Sequence, residues 1–418
     1  EDVKNGQLGQ CFTFPWMNSV DINVTPKWVR ETVWYQIFPE RFCNGNKEND
    51  PDWVKPWGYH TVNNLDFYGG DLDGIRQKLP YLQELGITGL YLTPVFESPS
   101  SHKYDTTDYR KIDPGFGDEE TMKLLVKEAH DRGIRVMLDG VFNHCGSNFL
   151  PWRDVMEKGP KSPYYDWFMI NRWPCREQEG STRDGRYYSF AFAERMPKLN
   201  TSEKKVRDYF LDTVRYWIET FDIDGLRLDV ANEISHLFCR ELRQMTKQLK
   251  PDFYLLGEIW HDAMPWLGGD EFDAVMNYPF AAAIREFWYQ PEKTKSDLEE
   301  AIHENLVRYM RQTTEVLFNL LDSHDTDRLI HQTGGNQDLF FQQLAMLFTM
   351  PGSPCIYYGT EIAIEGGADP DCRRCMPWNE IESGTYDERI NAVRTLIRLR
   401  KTKKACKSEK IIWQNTGH

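Results

Sequence analysis

Acidic side chains recur where the buried, strand-like runs of this chain end. The run GLRL contains Arg227 and is followed at once by Asp229. The run FYLLGEI carries Glu258 next to its end, and VLFNLLD is followed by SHD, which ends in Asp325. Charged groups next to apolar runs are costly unless they are paired or needed for function. Their positions therefore predict a polar site built from several strand ends.

A fourth run shows the same pattern. IRVMLDGVFNH contains Asp139 and ends on Asn143 and His144. Any one of these strand ends, taken alone, is explained by solvation or by a structural ion pair. Four together are harder to explain that way, because carboxylates crowded at one edge repel each other and destabilise the fold. Arg227 and the histidines would supply counter-charges and hydrogen-bond donors.

Carboxylates grouped with abundant aromatic rings favour glycoside chemistry. Aromatic residues make up 14% of the chain. Most single rings belong to a core, but some can stack on the flat faces of sugars. Cleavage with retention needs a carboxylate nucleophile and a carboxylic acid about 5–5.5 Å apart. A third acidic group can favour the positively charged transition state.

The elements that would position these groups follow from eight strand-like runs alternating with helical patterns. Most runs are continuously apolar, as expected for strands that are covered on both faces. The runs lie at residues 32–38, 89–96, 134–142, 224–230, 253–259, 273–278, 316–322 and 355–359. Eight such units predict an α/β fold, a (β/α)8 TIM barrel, with a doubly wound open sheet as the alternative. In a barrel, the strand ends named above meet at one rim.

Helix signals support this alternation. After Gly117, Asp118 can cap a helix whose apolar positions share one face, and Gly133 can end it. A second amphipathic pattern begins at TSEKK, where a serine or threonine would be the N-terminal cap.

Three segments fall outside the regular alternation. Residues 145–200 are too long for a connection and predict a subdomain inserted after the third strand. The barrel would then comprise residues 31–144 and 201–402. Residues 1–30 are interpreted as a lead-in, and residues 403–418 as the start of a truncated C-terminal β domain.

Composition excludes several classes of protein. The net charge of −14 argues against nucleic acid as a partner. No apolar run is long enough to predict a membrane span. Nine cysteines spread along 418 residues are typical of reduced thiols in a cytoplasmic protein rather than a disulfide scaffold. The single CxxC, at residues 372–375, has no second pair for a zinc site.

Four blocks, in order, resemble the signature blocks of the α-amylase superfamily, glycoside hydrolase family 13. They are DGVFNH, GLRLDVANE, GEIW and LLDSHD. MPKLN resembles the fifth block of the neopullulanase, cyclomaltodextrinase and maltogenic amylase branch, and SSHKYDTTDYRKIDPGFG and DPDCRRCMPW also resemble that branch. The resemblance covers residues 32–400. It implies a retaining hydrolase of α-1,4 bonds in maltooligosaccharides, cyclodextrins, pullulan or starch, with α-1,6 cleavage and transglycosylation left open.

The resemblance also implies residue roles. Asp229 would be the nucleophile, Glu258 the general acid and then the base, and Asp325 the transition-state stabiliser. Arg227 would hold Asp229 ionised and oriented. The remaining implied substrate contacts are Tyr104, His144 and His324 around the sugar in the cleaved subsite, Asp369 and Arg373 on the neighbouring non-reducing sugar, and Trp260 and Glu233 on the leaving-group side.

A calcium site is implied as well. Its oxygen ligands would be Asn44, Asn46, Asn49, Asp50, the Gly69 carbonyl and Asp71. Hard oxygen donors at such spacing suit Ca²⁺. Asn46 stands where relatives often carry Asp, which would lower affinity. The alternative is an Asn/Gly/Asp turn that holds no metal.

Two other functions stay open on the sequence. One is a transferase or isomerase on the same barrel, such as a sucrose-active or branching enzyme, although MPKLN and VANE weigh against it. The other is a non-catalytic glucan-binding barrel, which would normally lack part of the carboxylate set. Relatives in the branch carry an N-terminal β-sandwich that supports dimerisation, so a dimer is expected only if such a domain is present in the full protein.

Overall fold

The computed structural model describes residues 18, 21–58, 62–175 and 182–414. The strands in these residues are β1 (Trp34–Ile37), β2 (Gly89–Leu92), β3 (Phe96–Glu97), β4 (Asp108–Ile112), β5 (Arg135–Gly140), β6 (Gly225–Leu228), β7 (Tyr254–Gly257), β8 (Ala274–Val275), β9 (Phe318–Asn319) and β10 (Ser353–Tyr357).

Eight of these strands form one parallel sheet in the order β8-β7-β6-β5-β2-β1-β10-β9. A parallel bridge between Met276 and Phe318 links the two edge strands, so the sheet is a nearly closed barrel. The predicted TIM barrel is therefore confirmed, and each of the eight predicted runs overlaps a barrel strand. The open-sheet alternative is wrong.

The sequence prediction missed one hairpin. Strands β3 and β4 pair antiparallel outside the barrel. The predicted second strand ran on into Phe96, because apolar residues resume at Val95 after only Thr93 and Pro94. Phe96 instead turns away from the barrel and stacks on Trp217, with ring centroids 4.3 Å apart.

The helices surround the barrel. They are α1 (Lys27–Arg30), α2 (Pro39–Phe42), α3 (Leu72–Gln77), α4 (Leu79–Leu85), α5 (Glu119–Asp131), α6 (Leu150–Lys158), α7 (Lys204–Phe221), α8 (His236–Leu249), α9 (Tyr278–Tyr289), α10 (Lys295–Val307), α11 (Arg311–Thr314), α12 (Leu329–Gln332), α13 (Gln337–Thr349), α14 (Trp378–Glu382) and α15 (Asp387–Thr402).

Helix α5 begins and ends as its sequence predicts. The Asp118 side chain accepts a hydrogen bond from the Thr121 backbone N–H at 2.8 Å. The chain leaves the helix at Gly133, whose φ of +71° suits glycine. Helix α7 differs, because its cap is Glu203 rather than a serine or threonine. Thr201 instead bonds Ser235 through its hydroxyl and carbonyl oxygens.

The segment predicted as an inserted subdomain leaves and rejoins the barrel at adjacent points. His144 and Lys198 form an antiparallel bridge, and Phe168 pairs with Leu199 in the same way. Between them lie α6 and short bridged stretches. Residues 176–181 lie outside the described residues. The division into domains remains a prediction.

Both ends of the chain extend beyond what is described. Of the predicted lead-in, residues 1–17, 19 and 20 lie outside the described residues, and α1 occupies its last part. At the other end, residues 403–414 contain a short 3-10 helix, Lys404–Lys407, and no strand. Residues 415–418 lie outside, so the predicted C-terminal β domain stays a prediction. Within the described residues, none of the helices has the length and apolar character needed to cross a bilayer.

A buried carboxylate stabilises the end of the barrel where the strands begin. Asp224, just before β6, lies 2.6 Å from His130 Nε2, 2.7 Å from Arg135 Nη1 and 3.0 Å from Lys250 Nζ. Burial alone would raise the pKa of Asp224, but the His130 hydrogen bond and the Lys250 charge hold it well below its usual value. The carboxylate thus stays ionised and joins three separate elements.

We expect Asp224→Asn to lower the free energy of unfolding by about 1.5–3 kcal/mol at pH 7, since hydrogen bonds to a charged group are lost. Because the folded-state pKa is depressed, this contribution is present above the unfolded pKa of about 3.9 and is lost as pH falls below it. Urea denaturation of parent and variant at pH 7 and pH 3.5 measures both effects.

Asp212→Asn is the control, because Asp212 is exposed and pairs only with the half-exposed Arg110. A deficit for Asp224→Asn no larger than that of the control, or one that grows at acid pH, would contradict the assignment.

Candidate active site

The predicted catalytic residues come together at the carboxyl ends of the barrel strands. Asp229 follows β6, Glu258 follows β7 and Asp325 lies in the loop after β9. All three border one cavity of about 400 Å³. The residues around the cavity are Asn64, His102, Tyr104, His144, Phe190, Met196, Asp229, Val230, Asn232, Glu258, Trp260, His324, Asp325, Asp369 and Arg373. The cavity is the size of a small-ligand pocket.

Arg227 lies beneath the cavity and is fully buried. Its Nη1 lies 2.8 Å from both Asp139 oxygens and 2.8 Å from Asp229 Oδ1. Its Nη2 lies 2.7 Å from Glu258 Oε2. One guanidinium therefore contacts three carboxylates from neighbouring strands, and it fixes Asp229 and Glu258 close to each other.

This cluster binds protons more readily than isolated carboxylates do. Burial raises the pKa of Asp229 well above its usual range, the Arg227 charge opposes that shift, and Glu258 and Asp139 add to it. Burial also raises the pKa of Asp139, again against Arg227. The carboxylates outnumber the one guanidinium that they contact, so burial and mutual repulsion still raise the pKa values of Asp229 and Asp139.

Glu258 is held by donors on two sides. Its Oε2 accepts a hydrogen bond from the Val230 N–H at 2.9 Å, and its Oε1 accepts one from Trp260 Nε1 at 3.1 Å. The Trp260 ring stacks on Tyr278 with centroids 3.7 Å apart. The indole is half-exposed and presents its other face at the mouth of the cavity. Trp260 therefore both orients the carboxylate and offers an apolar surface beside it.

Asp325 is bound between a cation and a histidine. Arg373 Nη2 lies 3.2 Å from its Oδ1, and His324 Nε2 lies 3.1 Å from its Oδ2. Burial raises the pKa of Asp325, with Arg373 opposing the shift. Arg373 also pairs with Asp369 at 2.8 Å, which places both residues at the same side of the cavity.

Two histidines offer neutral ring nitrogens to the cavity. Burial lowers the pKa of His144 to about 3, and burial together with Arg373 and Arg227 holds that of His324 well below its usual value. Phe190 stacks on His144 at 4.6 Å. His144 Nε2 is buried and has no hydrogen-bond partner among the described residues. Such an atom is costly unless a ligand supplies the bond.

Of the eleven predicted catalytic and substrate-contacting residues, nine line the cavity. Arg227 lies below it, as a support for the carboxylates. Glu233 does not line it. Its half-exposed carboxylate pairs with Lys198 Nζ at 2.8 Å, and that lysine also donates to Asn143. Glu233 thus ties the MPKLN stretch to the β6 loop.

Several lining residues were absent from the predicted set. Asn64, Phe190 and Asn232 have no distinctive spacing in the sequence. His102 and Met196 lie in stretches that resemble the family, but no substrate contact was predicted for them. Asp139 was noticed as a strand-end carboxylate but given no role, although it binds Arg227 and both Tyr91 and Tyr104. The repeated occurrence of carboxylates at strand ends is the sequence feature that could have assigned Asp139 to the site.

The predicted calcium ligands divide into two groups. The side-chain oxygens of Asn44 and Asn49 are buried without a hydrogen-bond partner among the described residues, beside Asp50. A Cβ on Gly69 would lie 2.1 Å from Asp50 Oδ1, so the backbone approaches this group closely. Unpartnered oxygens next to a carboxylate fit a hard cation.

The other two side chains serve the local backbone. Asp71 caps α3 and accepts bonds from the N–H groups of Gly45, Asn46 and Gly74. Asn46 caps the short turn that follows it, by accepting from Glu48 N. The fit to a cation therefore rests on Asn44, Asn49, Asp50 and the Gly69 carbonyl.

Comparison with known proteins identifies the family. Residues 36–409 match the family described as "Alpha amylase, catalytic domain". The chain belongs to the α-amylase family. Membership explains why the four strand-end blocks occur in their fixed order on a TIM barrel.

Members of the α-amylase family with similar sequences include a cyclomaltodextrinase and a neopullulanase. The chain is 53% identical over 396 residues to a cyclomaltodextrinase of Geobacillus thermopakistaniensis, covering 94% of this chain and 66% of the relative. It is 48% identical over 375 residues to neopullulanase 2 of Thermoactinomyces vulgaris, covering 89% and 63%. The chain thus spans about two thirds of the length of these relatives.

The fold of a solved family member is also similar. A cyclic α-maltosyl-(1→6)-maltose hydrolase from Arthrobacter globiformis superposes with a TM-score of 0.87 at 37% identity. The match covers 92% of this chain and 86% of that enzyme. The barrel and its rim are therefore shared with a family member of known structure.

We expect Arg227→Met to lower the free energy of unfolding by about 3–5 kcal/mol at pH 7, because Asp139, Asp229 and Glu258 lose their shared counter-charge in a buried site. Uncompensated buried carboxylates have raised pKa values, so protonation relieves the repulsion and the deficit shrinks as pH falls from 7 to 5. Denaturant titrations at both pH values measure this.

Arg285→Met is the matched control, since Arg285 is exposed beside Tyr278 at the barrel rim. If the Arg227 variant matched the control, or were worse at pH 5 than at pH 7, Arg227 would not be the neutralising group.

Proposed function

We propose that the protein is a retaining α-glucan hydrolase, which cleaves α-1,4 glucosidic bonds through a glycosyl-enzyme on Asp229 with Glu258 as acid and base. The observation that carries the proposal is the contact of Asp229 and Glu258 with one guanidinium at the floor of a sugar-sized cavity. Such closeness suits the spacing of about 5–5.5 Å used by retaining enzymes.

In the first step, an Asp229 oxygen attacks the anomeric carbon of the bound sugar and the glycosidic C–O bond breaks. Glu258 donates a proton to the departing oxygen. Its carboxyl group lies in a buried site crowded by other carboxylates, an environment in which enzymes keep a proton-donating acid. Arg227 keeps Asp229 as the anion that attacks.

In the second step, Glu258 takes a proton from water as the water attacks the anomeric carbon. The bond to Asp229 breaks and the sugar is released with its original configuration. Trp260 and the Val230 N–H, which hold Glu258 in place, allow the same carboxyl group to act in both directions.

The transition state carries positive charge on the sugar ring, and Asp325 is positioned to stabilise it from the cavity wall. His144 and His324, both neutral, would donate to or accept from sugar hydroxyls. Tyr104 lines the same part of the cavity and offers a ring for stacking. Asp369 and Arg373 would contact the neighbouring sugar.

The substrate class follows from the relatives. Their names are cyclomaltodextrinase and neopullulanase, and the solved neighbour is named for cyclic α-maltosyl-(1→6)-maltose. We propose cyclodextrins, pullulan, maltooligosaccharides and starch as candidate substrates, with α-1,6 cleavage as an additional activity. Chromatography of products from cyclodextrin, pullulan and linear maltodextrin would rank them.

Transglycosylation is the second candidate. It uses the same intermediate and differs only in whether water or a sugar hydroxyl attacks. The exposed face of Trp260, at the mouth of the cavity, could hold a sugar acceptor. Accumulation of products longer than the starting maltotriose would reveal it.

The proposed setting is the cytoplasm. The cysteines among the described residues are all free and buried, which suits a reducing compartment.

We expect Asp229→Asn to reduce turnover of maltotriose and γ-cyclodextrin by more than about 10⁴-fold, because the amide cannot form the glycosyl-enzyme. Glu258→Gln should reduce turnover of these sugars by a similar factor. Its turnover of an aryl α-maltoside should fall far less, because that leaving group departs without a proton. Initial rates and single-turnover bursts on the sugars and on the aryl α-maltoside measure how the two substitutions differ.

Asp212→Asn serves as control, being exposed and distant from the cavity. Turnover of Asp229→Asn within tenfold of the parent would rule out Asp229 as nucleophile. Tight glucan binding with no hydrolysis by the parent over days would favour the non-catalytic barrel instead.

We propose separately that Asn44, Asn49, Asp50 and the Gly69 carbonyl hold a structural Ca²⁺ ion. The ion would satisfy the unpartnered amide oxygens and join the loop after α2 to the start of α3. We expect Ca²⁺ at 100 times its Kd to raise the free energy of unfolding by about 2.7 kcal/mol.

Thermal unfolding with Ca²⁺ and with a chelator measures this effect. Asn49→Ala should remove the calcium dependence, whereas Asn148→Ala, in an exposed turn, should keep it. An identical melting temperature with Ca²⁺ and with chelator would mean that the loop is a turn without metal.

A further inference from the structure

A glutamine on the first strand contacts the active-site histidine from inside the barrel. Gln36 belongs to β1 and is buried. It shares its strand face with Trp34, which stacks on Tyr254 in the barrel interior. Gln36 Nε2 lies 2.6 Å from His324 Nδ1, and both side chains are almost inaccessible to solvent. Gln36 itself does not border the cavity.

The direction of this hydrogen bond fixes the proton on the imidazole. An amide nitrogen carries two hydrogens and can only donate. Nδ1 of His324 must therefore be the acceptor and carry no proton. In a neutral ring the single proton then belongs to Nε2, the nitrogen nearer the catalytic carboxylates.

Contacts on the other side of the ring support the same tautomer. His324 Nε2 lies 3.1 Å from Asp325 Oδ2 and 2.7 Å from the Tyr104 hydroxyl. That hydroxyl donates to Asp139 Oδ2 at 2.9 Å, so its oxygen is free to accept. If Nε2 carried no proton, its lone pair would face the lone pairs of the Asp325 carboxylate, and the two would repel each other. A protonated Nε2 donates to the Tyr104 oxygen and turns the contact with the carboxylate from repulsive to attractive.

We propose that Gln36 is a positioning residue that sets the tautomer of His324, so that Nε2–H points toward Asp325 and the sugar. This inference rests on the proposed glycosidase function for its kinetic consequence, but the tautomer itself does not depend on that function. Gln36 acts through His324 and makes no contact with the cavity.

The tautomer matters because the ring is neutral. Burial lowers the pKa of His324, Arg373 and Arg227 lower it further, and His102 adds to this, while Glu258 opposes it. Asp325 is the other charged group against the ring. A neutral ring offers one donor and one acceptor, so only this tautomer presents its single proton on the side of Asp325 and the cavity.

Nitrogen NMR of the histidine-labelled protein reads the tautomer directly. A protonated ring nitrogen and a bare one differ widely in chemical shift, and His324→Gln identifies the signals among the ten histidines. We expect the parent to show a bare Nδ1 and a protonated Nε2 in His324. A protonated Nδ1 in the parent would overturn the proposal, whatever the activity.

Two substitutions test the role of Gln36. Gln36→Glu has nearly the same shape but offers an acceptor, so we expect a protonated Nδ1 on His324. Gln36→Met keeps the length without any donor, and we expect the strict preference for Nε2–H to be lost. An unchanged ring pattern in a folded variant, either the Glu or the Met form, would show that other contacts set the tautomer.

Kinetics gives the second readout. We expect kcat of Gln36→Glu to fall by at least about tenfold, with a smaller change in KM, because the lost donor acts on the transition state. Gln343→Glu is the matched control: Gln343 is equally buried and donates its Nε2 to Tyr289, away from the cavity. Full activity of Gln36→Glu with a switched tautomer would overturn the kinetic part.

These outcomes separate the two proposals. A parent enzyme that shows the expected tautomer but hydrolyses no glucan would refute the proposed function and leave the tautomer assignment standing. An active parent with the opposite tautomer would refute only the role of Gln36.

Discussion

The site depends on one buried cation surrounded by carboxylates. Arg227 is fully enclosed, and its nitrogens contact Asp139, Asp229 and Glu258 at 2.7–2.8 Å. Without that charge, three acidic groups could not stay close together in a dry interior. With it, they stay close, although burial still raises the pKa values of Asp139 and Asp229. The guanidinium therefore allows the three carboxylates to lie close together in the folded protein, where they can act on one bound molecule.

The barrel supplies the geometry that this ion cluster needs. Residues far apart in sequence follow strands that are neighbours in the sheet, so their side chains meet at one rim. Polar contacts then extend the cluster sideways, from Asp139 through Tyr104 and His324 to Asp325. The three proposed catalytic carboxylates thus belong to one network of hydrogen bonds and ion pairs. Its members come from β5 and β6, from the residues just after β6 and β7, and from the loops after β3 and β9.

The sequence predicted the parts of this network that have a repeating physical signal. Apolar runs gave the eight strands, and acids at the ends of several of these runs gave the positions of Asp229, Glu258 and Asp325. Residues without such a signal were missed or misplaced. Gln36 lies inside a strand and looks like any polar residue in an apolar run. Glu233 and Asp71 are engaged by a lysine and by a helix N-terminus, contacts that depend on how distant segments fold.

Strand β6 carries a charged cluster at each of its ends. Asp224, before the strand, is bound by His130, Arg135 and Lys250, whereas Arg227 and Asp229 serve the rim. Only Gly225 and Leu226 separate Asp224 from Arg227 in the chain, yet no side-chain ion pair among the described residues joins one cluster to the other. Heat tolerance and turnover can therefore evolve separately. Substitutions that strengthen the lower end would raise the melting temperature of the protein without altering the residues that line the cavity.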